Sequence, residues 1–283
     1  MKFKLAKTIG MTGSTGFLGS VLKKKIISNK RYSLKVFRGN IINKLELSEW
    51  FKKNKFDYFI HLAAVVPTDK VAKNKNIAKK INITGTKNII KEVNQSKMIT
   101  WFFYSSTSHV YRFNDKKIKE TSIKKPFSIY GKTKLRAEIC IKKNINNKIK
   151  YCIGRIFSLE GKKKDKTYLI PGLVNKIKEK KNINLDGSLF RDFIHVEDVA
   201  DAIIKLLKYE IQGEYNIASG KKTKFIEIIN IFKKISNKKF FFRDTKFLNA
   251  SSCYADISKL NRKIKWKPRR KIQYILKEYS QLL

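Results

Sequence analysis

A tyrosine and a lysine four residues apart, Tyr130 and Lys134, sit in Ser128-Ile-Tyr-Gly-Lys-Thr-Lys-Leu-Arg-Ala-Glu138 at the start of a segment with helical spacing. That spacing would set both side chains on one helix face. A phenol ionises near ~10 in water, and an ammonium beside it favours the phenolate. Such a pair can exchange a proton with a substrate hydroxyl near neutral pH. More hydroxyls lie upstream in Ser105-Ser-Thr-Ser-His-Val-Tyr111, directly after Met98-Ile-Thr-Trp-Phe-Phe-Tyr104. This aromatic and β-branched run reads as a buried strand of a parallel sheet, and open α/β sheets bind ligands at the carboxyl ends of their strands. Each feature alone is common: hydroxyl clusters also serve turns.

The elements that would position these groups start with Thr8-Ile-Gly-Met-Thr-Gly-Ser-Thr-Gly-Phe-Leu-Gly-Ser20, an apolar approach to three glycines spaced by three. It reads as strand, tight turn and helix. Gly13 would let the chain turn, Gly16 would let backbone approach a pyrophosphate, and Gly19 would let the helix lie close on the sheet. The free N–H groups of the helix start would face the phosphates. Leu18, Val21, Leu22 and Ile26 recur on one face of that helix.

Thr-Gly-Ser-Thr-Gly-Phe-Leu-Gly resembles the opening of the extended short-chain dehydrogenase/reductase family, the NAD-dependent epimerase/dehydratase group that modifies nucleotide sugars. Further stretches are similar to the family pattern: His61-Leu-Ala-Ala64, Arg191-Asp-Phe-Ile-His-Val-Glu-Asp-Val-Ala200, Glu214-Tyr-Asn-Ile-Ala-Ser-Gly220, and the tail through Trp266-Lys-Pro268. The resemblance covers nearly the whole chain. It implies Tyr130 as acid/base, Lys134 as its partner and ribose anchor, Thr107 as the hydroxyl bonding the substrate oxygen, and Asn82 as holder of a water chain. It places NAD or NADP on Gly13, Thr15, Gly16, Phe17, Leu18 and Gly19, on Arg38, Asn40 and Ile41, on Leu62, Ala63 and Ala64, and on Tyr130 and Lys134. Thr107, Ser108, His109, Ser158, Arg191 and Lys246 would touch the substrate, with Arg191 and Lys246 on its diphosphate. No metal is implied.

The departures from the family pattern are informative. Dehydrating relatives follow the Thr107 position with Asp-Glu, whereas Ser108-His109 stand here, which argues against dehydration. Ser158 replaces the usual Asn, and Asn40 replaces an Asp. Arg38 follows the second strand, 33–37, where an NAD site would carry an acid; it is either a cation for the 2′-phosphate of NADP or one more surface base. Between the two remaining chemistries the Arg leans toward NADPH and a 4-keto-sugar reductase over a 4-epimerase. His61 and His195 read as structural.

The expected architecture is α/β, a doubly wound parallel Rossmann sheet formed by 1–158 and 191–218, with a smaller substrate-binding part from 159–190 and 219–283. A strand is expected over 57–64 and a helix over 169–181. Cys140, Cys152 and Cys253 have no metal-like spacing and, being odd in number, suit a reducing cytoplasm. No apolar leader follows Met1-Lys-Phe-Lys, and no run is long enough to span a bilayer. We expect no membrane partner, no specific nucleic acid and a homodimer.

The formal charge of +43 would ordinarily suggest nucleic acid, but only ten of the 65 basic residues are arginine and the lysines run from end to end. The charge reads as compositional, and it can still draw in an anionic substrate. The alternative is a non-catalytic dinucleotide-binding protein with a basic nucleic-acid surface; loss of the Tyr/Lys pair would favour it, and the pair is intact. Duplex DNA should therefore bind weakly, without sequence preference, and with affinity that collapses between low and physiological salt. Sequence-selective binding at physiological salt, measured by anisotropy, would reverse this reading.

Overall fold

The computed structural model describes residues 6–66, 75–162, 164–236, 238–247 and 252–283. Residues 1–5, from which the lack of a leader was read, lie outside the described residues, as does Lys163 in the lysine-rich loop. The described elements alternate strand and helix: β1 (Lys7–Thr12), α1 (Phe17–Ile27), β2 (Tyr32–Phe37), α2 (Lys44–Lys53) and β3 (Tyr58–His61). A helical segment Lys75–Lys79 then passes through a π turn, Lys80–Gly85, into α3 (Thr86–Gln95). After it come β4 (Trp101–Thr107), α4 (Ile129–Asn144), β5 (Lys150–Ile156), α5 (Leu169–Lys178), α6 (Val196–Lys208), β6 (Gly213–Ile217), α7 (Phe225–Ile235), α8 (Ser258–Ile264) and α9 (Ile272–Ser280).

The central sheet has the order β6-β5-β4-β3-β1-β2. Its β2/β1, β1/β3 and β3/β4 pairs are parallel, and Met11 lies opposite both Val36 and Ile60. The chain moves from β1 to β2 on one side and returns to β3 on the other, so strand order reverses between β1 and β3. This is the doubly wound Rossmann arrangement, and such a reversal leaves a crevice at the strand carboxyl ends. Because β2 is the edge strand, Arg38 and the Gly39-Asn40 turn follow it at the margin of the sheet.

Three expectations shift in detail. The strand expected over 57–64 ends at His61, and residues 62–66 leave it as coil. The strand expected over 98–104 begins at Trp101 and runs to Thr107, so Ser105 and Ser106 lie inside it and take opposite faces. The helix expected to reach 181 stops at Lys178, because Lys180 adopts a left-handed φ of 52° that ends the helical ladder.

Two compact units result, one of Met1–Arg112, Ile123–Arg155 and Ala200–Tyr215, the other of Phe113–Ser122, Ile156–Val199 and Asn216–Leu283. The first has a core rich in aromatic side chains. Phe59 stacks on Phe51 at 5.1 Å and on Phe102 at 6.2 Å between ring centroids, with Ile89, Ile90, Val93, Ala137 and Ile141 from α3 and α4 closing over the sheet. Each fully buried side chain of this kind contributes roughly 1.5–3 kcal/mol by leaving water. In the second unit α5, α7 and α9 bury Ile170, Leu173, Val174, Ile177, Ile228, Ile229, Phe232, Ile275 and Leu276 together. Asp192 ties that unit's loops, accepting from Ser219 N and Oγ at 2.7 and 2.6 Å, Gly220 N at 2.9 Å and Ala255 N at 3.1 Å. Burial nonetheless pushes its carboxyl up to about 6. Among the described residues no helix is long and apolar enough to cross a membrane.

His61 is the end residue of β3 and is structural, as read from the sequence. Thr86 Oγ1 donates to Asn82 O at 2.8 Å, so His61 Nε2 must donate to Thr86 Oγ1 at 3.0 Å, and Nδ1 accepts from Thr12 Oγ1 at 2.7 Å. Burial, then the nearby Lys134 charge, lower its pKa to about 3. The folded protein therefore binds fewer protons than the unfolded chain between pH ~6.5 and about 3, and stability falls as pH falls across that window by about 1.4 kcal/mol per unit from this residue. Urea unfolding from about pH 7 to about pH 4 should give a shallower dependence on pH in His61→Gln than in the parent. Equal slopes would show that His61 is not held neutral.

Candidate active site

At the end of β1 the three glycines behave as their spacing suggests. Gly13 has φ of 74°, and a Cβ on it would fall 2.5 Å from Ala63 N, so only glycine lets the first loop pass this close to the chain leaving β3. A Cβ on Gly19 would overlap the Gly13 carbonyl oxygen. Gly16 is the N-cap of α1, with no side-chain cap and no acidic residue in the first turn. A Cβ there would meet nothing nearer than Gly13 O at 3.4 Å. The space over Gly16 and the uncapped N–H groups of a helix start form a cradle for an anion, which fits a dinucleotide pyrophosphate.

Around this cradle, Thr15 and Phe17 flank Gly16, and Leu18 is buried on the α1 face toward the core. Leu62 and Ala63 are half-buried where β3 ends; Ala63 N donates to Thr12 Oγ1 at 3.3 Å, and Ala64 follows it. Asn88 Nδ2 donates to Ile41 O at 3.0 Å and Ile42 O at 3.2 Å, which fixes the Asn40-Ile41 loop beside α3. Arg38 is exposed after β2. One neighbour there was missed in the sequence: a Cβ on Gly39 would overlap the Glu46 carboxylate, whose Oε2 accepts from Asn40 N at 3.2 Å. Glu46 belongs to the first turn of α2, whose N-cap Asn43 accepts from Glu46 N in return. A carboxylate thus stands beside the strand end that itself carries a cation.

The proton-transfer candidates lie on α4. Ser128 caps the helix by accepting from Gly131 N at 3.0 Å, which sets Tyr130 in the first turn and Lys134 one turn further. A Cβ on Gly131 would overlap the His109 carbonyl oxygen, so the glycine lets α4 press on the short 3-10 turn Ser108–Val110 that follows β4. His109 meets Tyr130 edge to face at 5.8 Å between centroids. Thr107, buried, is the last residue of β4, and its Oγ1 accepts from His109 N at 3.3 Å, leaving its own proton to donate. Ser108 is buried beside it.

Lys134 is only 2 % exposed, with its ammonium 4.1 Å from the centre of the Tyr104 ring. Burial lowers its pKa to about 7, and Glu138, one turn on, opposes the fall. Burial likewise holds the Tyr104 phenol well above its usual pKa, with Tyr130 adding to the rise. Asn82 sits in the π turn. Its Oδ1 accepts from Val65 N at 2.8 Å, and its Nδ2 donates to Val65 O and to Thr133 Oγ1, each at 3.0 Å, pinning the chain after β3 to α4. The structure brings Tyr130, Lys134, Thr107, Ser108, His109 and Asn82 together in the first unit. Tyr104 and Glu138 were overlooked, although Glu138 continues the four-residue spacing of Tyr130 and Lys134.

Ser158, Arg191 and Lys246 belong to the second unit. Ser158 N donates to Asp192 O at 3.0 Å. The half-buried Arg191 guanidinium lies 5.6 Å from the centre of the Phe113 ring and 5.7 Å from that of Phe225, and Nη1 donates to Phe190 O at 2.9 Å. Burial lowers its pKa, and it stays charged. Lys246 is exposed, 3.1 Å from Asp186 Oδ1. Among the described residues no group of three or more His, Cys, Asp or Glu side chains could hold a metal ion.

Residues 9–218 match the NAD dependent epimerase/dehydratase family. The chain belongs to that family. This epimerase/dehydratase family member is an enzyme of the extended short-chain dehydrogenase/reductase type, built to use NAD or NADP, in a family that acts on nucleotide sugars. It is 27% identical over 290 residues to the dTDP-4-dehydro-6-deoxyglucose reductase of Escherichia coli, covering 91% of this chain and 92% of that one. It is 26% identical over 276 residues to a bifunctional UDP-glucose and UDP-xylose 4-epimerase of Pisum sativum, covering 85% and 77%. The crystal structure of a Bacillus cereus UDP-glucuronic acid 4-epimerase with UDP-glucuronic acid and NAD superposes with a TM-score of 0.85 at 25% identity, over 98% of this chain and 100% of that one.

Arg38 and Glu46 make opposite demands on a cofactor, since a guanidinium favours a 2′-phosphate and a carboxylate favours ribose hydroxyls. Arg38→Ala should weaken NADPH binding by roughly 1.5–3 kcal/mol and leave NADH nearly unchanged, and Glu46→Gln should weaken NADH instead. Calorimetry with both cofactors reads this out; unchanged affinities in both variants would remove the strand end from cofactor choice.

Proposed function

We propose that the chain is an NADPH-dependent reductase of a 4-keto group on a nucleotide-activated sugar. The observation that carries this reading is the single face of α4 on which Tyr130 and the buried Lys134 lie, pressed against the turn that follows Thr107. A nicotinamide dinucleotide held at the glycine loop would supply the hydride, which no side chain can do. Thr107 donates a hydrogen bond to the keto oxygen and orients it. Tyr130 gives its proton to that oxygen as C4 is reduced, and the Lys134 ammonium stabilises the phenolate left behind. Asn82 acts as a positioning residue by holding the chain after β3 on α4. Ser108, His109 and Ser158 contact the sugar in this reading, and Arg191 and Lys246 bind the diphosphate.

The NAD(P)-binding Rossmann domain of this reading is 1–158 and 191–218, which also carries Thr107, Ser158 and Arg191, and 159–190 and 219–283 form the smaller substrate-binding part. Cys140, Cys152 and Cys253 are buried and form no disulfide with one another, which suits a reducing cytoplasm. A second reading, 4-epimerisation with retained NAD, is favoured by Glu46 at the Gly39 turn. It uses the same Tyr130, Lys134 and Thr107 with the proton moving first from the hydroxyl and then back.

Incubating the protein with 4-keto and 4-hydroxy sugars on each common nucleotide, and following NADPH loss and product mass, separates the two readings. Tyr130→Phe keeps the ring but lacks the proton, so turnover should fall by about two orders of magnitude or more while cofactor still binds. A folded variant with near-normal turnover would remove Tyr130 from the chemistry.

A further inference from the structure

Behind the face that carries Tyr130 and Lys134 lies a buried charge cluster. Glu138 follows Lys134 by the same four residues, so the three groups share one side of α4. Its carboxylate is fully buried. Oε1 accepts from Ser106 Oγ at 2.5 Å and Arg155 Nε at 3.0 Å, and Oε2 accepts from Arg155 Nη2 at 2.8 Å. Arg155, from β5, is as buried as its partner, and its Nη1 donates to Tyr111 Oη at 2.8 Å. Ser106 immediately precedes Thr107, and Tyr111 immediately follows the turn that carries Ser108 and His109. The cluster therefore grips both ends of residues 107–110 and fastens them to the helix that bears Tyr130 and Lys134.

A buried ion pair is weak evidence for a gain in stability, because removing two charges from water offsets most of their attraction. The position of this one points to a different role. We propose that Glu138, held by Arg155, is a positioning residue for catalysis: it sets the distance of Thr107 from Tyr130 and keeps the Lys134 ammonium charged in a dry site. This rests on the proton-transfer role given to Tyr130 above.

The surroundings of Lys134 leave Glu138 as its anionic support. From β4 it faces the neutral Tyr104 ring, from β3 the neutral His61, and on its own helix Tyr130 and Glu138. Among the described residues no carboxylate lies within ion-pair distance of it. Glu138 in turn faces Ser106 and Arg155; beyond Arg155 stand Tyr111, Glu214 at 3.4 Å, Lys142 paired with Glu214, and Lys124. Loss of the Glu138 charge would leave burial unopposed at Lys134, so the ammonium would lose its proton at lower pH.

The test uses the full chain with NADPH and a nucleotide 4-keto sugar. Glu138→Gln with Arg155→Met removes both charges together and avoids leaving a lone buried guanidinium. Expected for the folded double variant are an alkaline limb of kcat about one pH unit lower, a neutral-pH kcat down about tenfold, and little change in KM or cofactor affinity. Glu138→Asp, which keeps the charge but withdraws it by one methylene, should hold the limb in place and lose several-fold in kcat. A folded double variant with the parent's limb and kcat would overturn the proposal; should it not fold, a Glu138→Asp variant with full kcat would overturn it instead. Tyr130→Phe in parallel separates the failures. If that variant is active the underlying reading falls, and if it is inactive while the Glu138 variants match the parent only this inference falls.

Discussion

The buried ammonium of Lys134 is the constraint around which the first unit is arranged. A cation taken out of water is costly unless neighbouring groups favour it. Here the Tyr104 ring lies beneath it, Glu138 stands one helical turn away, and His61 is kept neutral by its burial and by the Lys134 charge itself, so that it adds no competing charge. Thr133 and Asn82 complete the setting by joining α4 to the chain that leaves β3. A lysine poised near neutrality in such a site can stabilise a phenolate while staying sensitive to small changes around it.

A second constraint is steric. The first loop, the chain after β3, and the junction of α4 with the Ser108–Val110 turn all pack closer than a Cβ allows, at Gly13, Gly19 and Gly131. Side chains at these points would push the glycine loop from the chain after β3, and the start of α4 from the turn that follows β4. Gly16 is different, because the room over it is open to a ligand. Gly13 and Gly19, which close the fold, share a single motif with Gly16, which opens a site.

The second unit contributes charge. Asp192 organises loops from three parts of the chain through four hydrogen bonds, and the adjacent Arg191 lies near two aromatic rings. A guanidinium backed by such rings is well suited to an anionic substrate. The excess of lysine runs from end to end of the sequence and adds a diffuse positive field.

The sequence by itself determined what depends on local periodicity. Three glycines at a spacing of three gave the turn and the close helix, four-residue spacing put Tyr130 and Lys134 on one face, and the apolar runs gave the parallel strands. What only the tertiary structure decided are the pairings between elements distant in sequence. The Arg155–Glu138–Ser106 cluster joins three elements, Asn82 finds Val65, and the Tyr104 ring takes its place under Lys134; none of these follows from a period of 2 or 3.6. The surroundings of Arg38 are of the same kind. Arg38 was legible because it directly follows a strand, whereas Glu46 was not, since only the fold of the Gly39–Asn43 turn carries its carboxylate back to the strand end. Local spacing fixes which way a side chain faces, and the order in which strands assemble fixes what it meets.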